Sequence, residues 1–351
     1  ERHVTRRTVV RPALAVLALA GLAAAATGSP ASAGPAAGTA SATVFMVNPV
    51  QSGGDESLTD QKDSATAVPA KEYYAVTLTN LDGSGYLRGD WVNIVSETGD
   101  PAFAAPGGSY SYDRHDDRFE QVMAYYWVTQ AQLYLQRLGF GGASGDLRPV
   151  NAESQDVRIN QYGADNSFSW DKKDLLRFGK GGVDDAEDAE VIVHEYGHAV
   201  HDAQVPGFGS SLDAGSIGEA FGDYLAVSVG LAVGGAPAAG VPAACVMDWD
   251  ATSYTSTVPH CLRRVDTTLT VAQRKGEVHY DGQIWSRALW DIRTALGDRT
   301  ANRIIVNAQF GFAPDTSFAA AATKTVQTAQ AMYGTKAANA VTKAFQARGI
   351  L

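Results

Sequence analysis

Two histidines separated by three residues, with a glutamate directly after the first, form the strongest chemical signal in the sequence: His194, Glu195 and His198 in the run HEYGH. On an α-helix, residues i and i+4 lie on one face, so both imidazoles could bind a single Zn²⁺ ion. Glu195 would lie beside that face, where it could take a proton from a metal-activated water without binding the metal. The chain has only 7 histidines, so the motif is a specific signal.

A catalytic zinc ion also needs a third protein ligand and a position left open for water. Some zinc enzymes carry a third histidine six residues after the second, but Gln204 stands there. His201 lies on nearly the same face as His194, but a further helical turn from the metal. Glu219, on the next predicted helix, is therefore the favoured ligand. Asp223, four residues on, shares its face and could accept the free N–H of His194. Apolar neighbours indicate that these two acids are buried rather than solvated.

Together these residues resemble the gluzincin signature, and in detail they are similar to the thermolysin and fungalysin group of zinc metalloendopeptidases. The resemblance is strongest over residues 160–295. It implies an α+β fold, a thermolysin-like two-lobed catalytic domain with a β-rich N-terminal lobe, a mainly α-helical C-terminal lobe and the zinc site in the cleft between them. It also implies hydrolysis of peptide bonds in polypeptide substrates, with one catalytic Zn²⁺ bound by the two histidines and Glu219, a metal-activated water, and Glu195 as general base.

The same resemblance assigns roles on both sides of the motif. Asn166 and Ser167 precede Phe168 in a segment similar to the family's edge strand, which binds the substrate backbone by strand pairing. His279 lies in a segment similar to the one that bears the second catalytic group, a histidine that donates a hydrogen bond to the oxyanion. We expect Arg264 to hold the substrate carbonyl beyond the scissile bond.

The sequence departs from the family's pattern at several positions. Gly209 stands roughly where relatives carry a tyrosine in the active-site loop. Glu277 is the nearest substitute for the acid that partners the catalytic histidine, since Arg274 stands near that acid's place. The acids of the family's double calcium site are not reproduced around Glu190 and Gly230, so Ca²⁺ remains an option that the sequence does not support.

Hydrophobic patterning predicts the elements that must position these residues. Strands are predicted at residues 43–47, 73–79, 86–87, 91–95, 156–159 and 167–170. Helices are predicted at residues 117–138, 188–203, 216–232, 279–296, 299–309, 316–333 and 336–348. A β-rich first part followed by a helical second part indicates an α+β fold. We divide the chain into a flexible lead-in over residues 34–43, a β-rich lobe over 44–187 and a helical lobe over 188–351.

Residues 1–33 have the layout of a secretory signal peptide rather than of fold material. Basic residues precede an apolar run at 13–26, and Ala31-Ser32-Ala33 fits the small-x-small cleavage signal before Gly34. The apolar run is too short for the alternative, a retained membrane anchor. We therefore expect a secreted, extracellular protein without membrane attachment after cleavage. Only residues 34–43 then precede the first predicted strand, where relatives carry a long propeptide.

Charge and cysteine content limit the partners and metal sites that the protein could have. The 28 basic and 38 acidic residues give a formal charge of −10, and no basic stripe is present, so we expect no nucleic-acid partner. Cys245 and Cys261 are the only cysteines, and in an exported chain such a pair predicts a disulfide. A thiolate metal site would need more ligands than these two. We expect a monomer.

Two alternative functions stay open. A gluzincin aminopeptidase would need a Gly-x-Met-Glu-Asn-like segment to hold a free α-amine, and the sequence has none. An exported binding protein with an inactive zinc site would explain the absent tyrosine, but every expected metal ligand and the general base are intact. Metal analysis together with hydrolysis of unfolded casein separates these alternatives.

Overall fold

The computed structural model describes residues 38–95, 99–143, 145–160 and 163–351. The predicted signal peptide and the start of the predicted lead-in lie outside these residues. Strand β1 begins at Ala40, so the lead-in prediction over residues 34–43 is wrong for its last four residues. Ala40 and Ala42 are buried while Ser41 between them is exposed. Small residues that suit a flexible segment also suit a tightly packed strand.

The strands of the first part form two sheets. In the first, β1 (Ala40–Phe45) lies between the antiparallel β2 (Tyr73–Leu78) and the parallel β4 (Ser109–Tyr110). The second has the order β3 (Val92–Ile94), β5 (Gln155–Arg158), β7 (Leu175–Arg177), β6 (Phe168–Trp170). Its first three strands are parallel, whereas β6 is antiparallel and forms one edge. A short antiparallel pair, β8 (Cys245–Val246) and β9 (Arg263–Arg264), follows later in the chain.

Helices dominate the second part, and the α+β prediction is confirmed. The helices are α1 (Pro49–Gly53), α2 (Arg118–Leu138), α3 (Ala189–Gln204), α4 (Leu212–Val233), α5 (Val278–Leu296), α6 (Asp298–Gln309), α7 (Phe318–Tyr333) and α8 (Thr335–Gln346). Every helix expected from periodicity is present, with ends that differ by at most a few residues. The short helix α1 and strands β4, β7, β8 and β9 were not expected. The strand expected at residues 86–87 is not formed, and Tyr86 makes only an isolated bridge to Phe103.

Local sequence explains how α3 begins and why α3 and α4 pack closely. The Asp188 side chain caps α3 by accepting the N–H of Glu190. The two helices meet at a pair of glycines: a Cβ on Gly197 would lie 3.0 Å from the Gly222 Cα, and one on Gly222 would lie 2.6 Å from Nδ1 of His194. Only glycine allows this approach, which brings the acids of α4 against the histidines of α3.

Helix α4 is long and apolar enough to cross a membrane by length and composition. However, 78% of its most apolar window is buried inside the protein. Its buried side chains, among them Ile217, Phe221 and Leu225, pack in the main hydrophobic core. The composition of α4 is therefore that of a central core helix.

A cluster of buried acids lies where α2 begins. Asp117, Glu120 and Asp184 bring carboxylate oxygens within 4.8 Å of one another. Glu187 lies nearby and accepts a hydrogen bond of 3.0 Å from the buried guanidinium of Arg114. Burial, reinforced by the charge of Glu187, raises the pKa of Asp184 from 3.8 to about 9.

This cluster predicts that stability falls as pH rises. Native Asp184 keeps its proton up to about pH 9, whereas the unfolded chain releases it near 3.8, so the native state binds more protons between these values. The free energy of unfolding should therefore decrease across that range, and Asp184→Asn should flatten the decrease. Denaturant unfolding at a series of pH values checks this, with the exposed Asp100→Asn as control. Identical pH slopes for Asp184→Asn and the parent would contradict it.

Candidate active-site cleft and metal centre

The two histidines of α3 and Glu219 of α4 converge on one point. The Nε2 atoms of His194 and His198 are 3.2 Å apart. The Glu219 carboxylate places one oxygen 3.1 Å from Nε2 of His194 and the other 3.5 Å from Nε2 of His198. Two imidazole nitrogens and one carboxylate, with a cleft on the remaining side, are the donor set of a catalytic zinc site. The residues present therefore fit a Zn²⁺ ion.

The neighbouring acids and burial shift the pKa values of these three side chains. Burial opposes a proton on His194, but hydrogen bonds to Asp223 and Glu219 raise its pKa to about 10. Burial lowers the pKa of His198 to about 4. The pKa of Glu219 lies well below its usual range because both histidines outweigh the effect of burial. The acids that favour a proton on His194 would equally favour a metal ion, so proton and metal compete for the same ring nitrogen.

Asp223 orients His194 through the ring nitrogen that does not face the other two donors. Its carboxylate accepts a hydrogen bond of 2.9 Å from Nδ1 of His194, which leaves Nε2 free for a metal. Arg263 donates two hydrogen bonds of 2.7 Å to the same carboxylate. These contacts hold the pKa of Asp223 near 2, although burial opposes them. Asp223 therefore lies where the sequence pattern placed it, and its contact with Arg263 is new.

Glu195 lies in the cleft but outside the converging set. Its side chain is 7% exposed and lines a cleft of about 310 Å³ together with the three metal-ligand candidates. Burial raises the pKa of Glu195 to about 7, and the neighbouring His194 only partly offsets this effect. A carboxylate with a pKa near neutrality can both accept and return a proton at physiological pH.

His279 reaches the metal centre from the first turn of α5. Its Nε2 is 3.3 Å from an oxygen of Glu219, and its side chain is half-exposed to the cleft. Its Nδ1 contacts Glu277 at 2.7 Å. Glu277 also caps α5 by accepting the backbone N–H groups of His279 and Tyr280. The structure thus puts Glu277 beside His279, while Arg274 pairs with Asp213 instead.

The segment expected to bind substrate backbone borders the same cleft. Asn166, Ser167 and Phe168 all line it, and β6 begins at Phe168 on the edge of its sheet. The Ser167 hydroxyl is committed to a hydrogen bond with Asp185. The lining residues come from both the sheet-containing first part and the helical second part of the chain.

Arg264 does not reach the cleft, and the expectation for it needs correction. Its guanidinium donates to both carboxylate oxygens of Asp266, at 2.7 and 2.8 Å. Its neighbour Arg263 lines the cleft instead. Both residues form strand β9, where successive side chains point to opposite faces. Of the two adjacent arginines, Arg264 was expected to line the cleft, whereas the structure places Arg263 there.

The two residues rejected as third ligand have other environments. The His201 ring packs between Phe208 and Phe221, with centroids 4.4 and 4.6 Å away. Burial lowers the pKa of His201 to about 3, so it is a neutral core residue. The Gln204 amide donates to the backbone oxygen of Val306.

The structure also bears on three further predictions from the sequence. Cys245 and Cys261 form the predicted disulfide, which fastens β8 to the segment before β9. The two carboxylate oxygens of Glu190 accept hydrogen bonds from Gln51 and Met247, so they are already used and offer Ca²⁺ little. Gly209 lies outside the cleft and bonds the backbone of residue 314.

Sequence reasoning missed several residues of the cleft. Besides Arg263, these are Asp185, Asp250 and Tyr254, which line the cleft together with the two histidines of α3. No motif marks them, because they come from separate short segments that only the folded chain brings together. Two short 3₁₀ helices begin at Asp185 and Asp250, and Tyr254 follows the second.

Comparison with known proteins agrees with this geometry. Residues 248–350 match the family model of the thermolysin metallopeptidase α-helical domain. The helical part of the chain is thus of the thermolysin metallopeptidase type, and the class of enzyme is a zinc metallopeptidase. The family resemblance recognised from the sequence motifs is confirmed over these residues.

A solved structure shows the same fold. The chain is similar to the precursor of protealysin, a metalloproteinase from Serratia proteamaculans, with a TM-score of 0.54 and 19% sequence identity. The match covers 78% of this chain and 92% of that one. No curated protein sequence matches the chain. The expected thermolysin-like α+β fold is confirmed.

Proposed function

We propose that this metallopeptidase is a secreted endopeptidase that cuts polypeptides internally, with one Zn²⁺ held by His194, His198 and Glu219. The single observation that supports this best is the convergence of these donors beside Glu195, on the floor of a cleft bordered by an edge strand. Cleavage of a peptide blocked at both ends, lost on zinc chelation, tests the proposal. Failure to cut any blocked peptide would contradict it.

The edge strand and Arg263 would position the substrate. A peptide chain can add to the free side of β6 by backbone hydrogen bonds, with Asn166 beside it. Arg263 is held by Asp223, and its position in the wall suits it to hold the substrate carbonyl beyond the scissile bond. An open-sided strand accepts an extended chain of any length, which favours internal cleavage.

Proton transfer would be the task of Glu195. When bound, zinc polarises the peptide carbonyl and lowers the pKa of a water at its open position. Glu195 then accepts the proton of the attacking water and delivers it to the leaving amine. Burial raises the pKa of Glu195 to about 7, so the carboxyl group can hold the proton long enough to deliver it in the second step.

His279 would stabilise the oxyanion of the tetrahedral intermediate. Its Nε2 lies 3.3 Å from Glu219, so a substrate oxygen at the metal centre is within its reach. Glu277 contacts the other ring nitrogen at 2.7 Å, which fixes the orientation of the ring. A positioned donor of this kind lowers the barrier by about 3 kcal/mol.

Replacement of this histidine should slow the chemical step. His279→Phe is expected to keep zinc and lower kcat/KM by about 10²-fold, mainly through kcat, because the contact strengthens only in the transition state. Steady-state kinetics with metal analysis checks this. His115→Phe, which changes an exposed histidine far along the chain, is the control. If His279→Phe cleaves peptides at the parental rate, the stabilising donor is another group.

Export is the remaining part of the proposal. The signal-like residues 1–33 and the disulfide between Cys245 and Cys261 both suit an oxidising, extracellular compartment. N-terminal sequencing of protein recovered from the culture medium should find Gly34 as the first residue. Retention of residues 1–33 in the cell membrane would contradict export.

A further inference from the structure

Three aspartates form an acidic recess in the wall of the active-site cleft. Asp165, Asp185 and Asp250 bring carboxylate oxygens within 4.8 Å of one another. Asp185 and Asp250 line the cleft itself, although their residues are only 3% and 4% exposed. The proposed catalytic steps use none of the three. Buried carboxylates gathered beside a substrate path need a partner that the protein alone does not supply.

The contacts of the recess leave its carboxyl groups without a cationic partner among the described residues. Tyr254 donates its hydroxyl to Asp165, and Ser167 donates its hydroxyl to Asp185. Neither donor carries charge. Among the described residues, no hydrogen bond reaches the Asp250 side chain, and the Oδ1 atoms of Asp185 and Asp250 are buried without partners. Burial accordingly raises the pKa of Asp185 to about 8.

The cationic residue in this wall is committed elsewhere. Arg263 lines the cleft, but its Nε and Nη2 atoms both donate to Asp223. Within the part of the chain that the structure describes, no ion pair joins Arg263 or any other cation to the recess. An incoming ligand with a positive charge would therefore meet uncompensated carboxylates.

We propose that the acidic recess binds the lysine or arginine side chain of the substrate residue that follows the scissile bond. This inference rests on the proposed endopeptidase function. Arg263, assigned to the carbonyl on that side of the bond, lines the same cleft as Asp185 and Asp250, so the recess faces the same substrate residue. Val191 and Leu262 in the cleft wall would contact the aliphatic stem while its charged end reaches the carboxylates.

A side-chain cation fits the recess better than a divalent metal ion. Ca²⁺ takes six to eight oxygen ligands. Asp165 and Asp185 each spend an oxygen on a hydroxyl donor, so few carboxylate oxygens stay free. An ammonium or guanidinium group instead donates directional hydrogen bonds to the unpartnered oxygens of Asp185 and Asp250. The recess also opens to the substrate path, where a metal ion would obstruct the peptide.

The test is a set of quenched peptides blocked at both ends that differ only in the residue after the cut: lysine, arginine or the neutral norleucine. The parent should cleave the basic peptides with kcat/KM at least about 10-fold above the norleucine peptide. Asp250→Asn and Asp185→Asn should each reduce this ratio to about one. Asp250 accepts no hydrogen bond, so its amide replacement removes charge and little else. The matched control is Asp184→Asn, a buried acid outside the cleft, which should keep the ratio.

The outcomes are separable. If no blocked peptide is cut, the proposed function fails. If all are cut without preference for a basic residue, or if both asparagine variants keep the preference, the recess does not bind that side chain. If cleavage is efficient only for matching peptides whose N-terminal amine is left unblocked, the acids bind an α-ammonium group instead of a side chain. If the parent shows no preference for basic peptides but binds Ca²⁺ by calorimetry, and Asp250→Asn loses that binding, then the recess is a metal site and the proposal is wrong. If circular dichroism shows that either variant folds poorly, the affinities of the lysine and norleucine peptides for the zinc-loaded Glu195→Gln protein are compared instead. Tighter binding of the lysine peptide supports the proposal, and equal binding contradicts it.

Discussion

Glu195→Gln should lower turnover of a peptide substrate by about 10³-fold or more while zinc content and fold stay unchanged. An amide has the size of the carboxylate but cannot accept the proton of the attacking water. Glu195 lies outside the set of side chains that converge on the metal centre, so its loss removes no ligand. Single-turnover kinetics and metal analysis on the same preparation measure both quantities.

The control for this variant is Glu153→Gln, which changes an exposed glutamate on the loop before β5. It should behave as the parent in both assays. Loss of zinc together with activity in Glu195→Gln would point to a structural role for this glutamate. Full activity would remove it from the mechanism.

Glu219→Gln should lower zinc content and activity together. The amide oxygen is a weaker ligand than the carboxylate, and the variant also removes the negative charge that the two histidines face at 3.1 and 3.5 Å. Zinc released to a chromophoric chelator gives the affinity, and peptide hydrolysis gives the activity. The two losses should follow the same curve as free zinc is varied.

Excess zinc separates ligand loss from misfolding in this variant. If Glu219 is only a metal ligand, saturating zinc should restore part of the activity, and circular dichroism should match the parent throughout. A Glu219→Gln protein with one tightly bound zinc and full turnover would remove Glu219 from the ligand set. His279 would then be the nearest remaining side chain, since it lies 3.3 Å from Glu219.

The residues proposed as metal ligands were predictable because their spacing within each helix is a local property of the sequence. His194 and His198 are one helical turn apart, and Glu219 with Asp223 repeats that spacing on the next helix. Helical periodicity gave both helices to within a few residues. The glycines at 197 and 222, where the helices touch, could be understood only once the packing was known.

The rest of the site depends on contacts between distant segments. Choosing Arg263 over Arg264 requires the phase of strand β9, and a strand of two residues has too short a pattern to set it. Asp185 and Asp250 meet in the recess although they are far apart in the chain, and neither belongs to a periodic element. Ala40 and Ala42 were read as linker because their burial is provided by neighbouring strands rather than by their own size.

The most direct test of the central claim is to map the cuts that the purified protein makes in unfolded casein, before and after zinc chelation and after zinc is restored. The account predicts internal cuts throughout the chain, abolished by the chelator and recovered with about one equivalent of zinc per protein chain. Cleavage that continues unchanged when the zinc has been removed, or residues released only from the ends of casein, would contradict it.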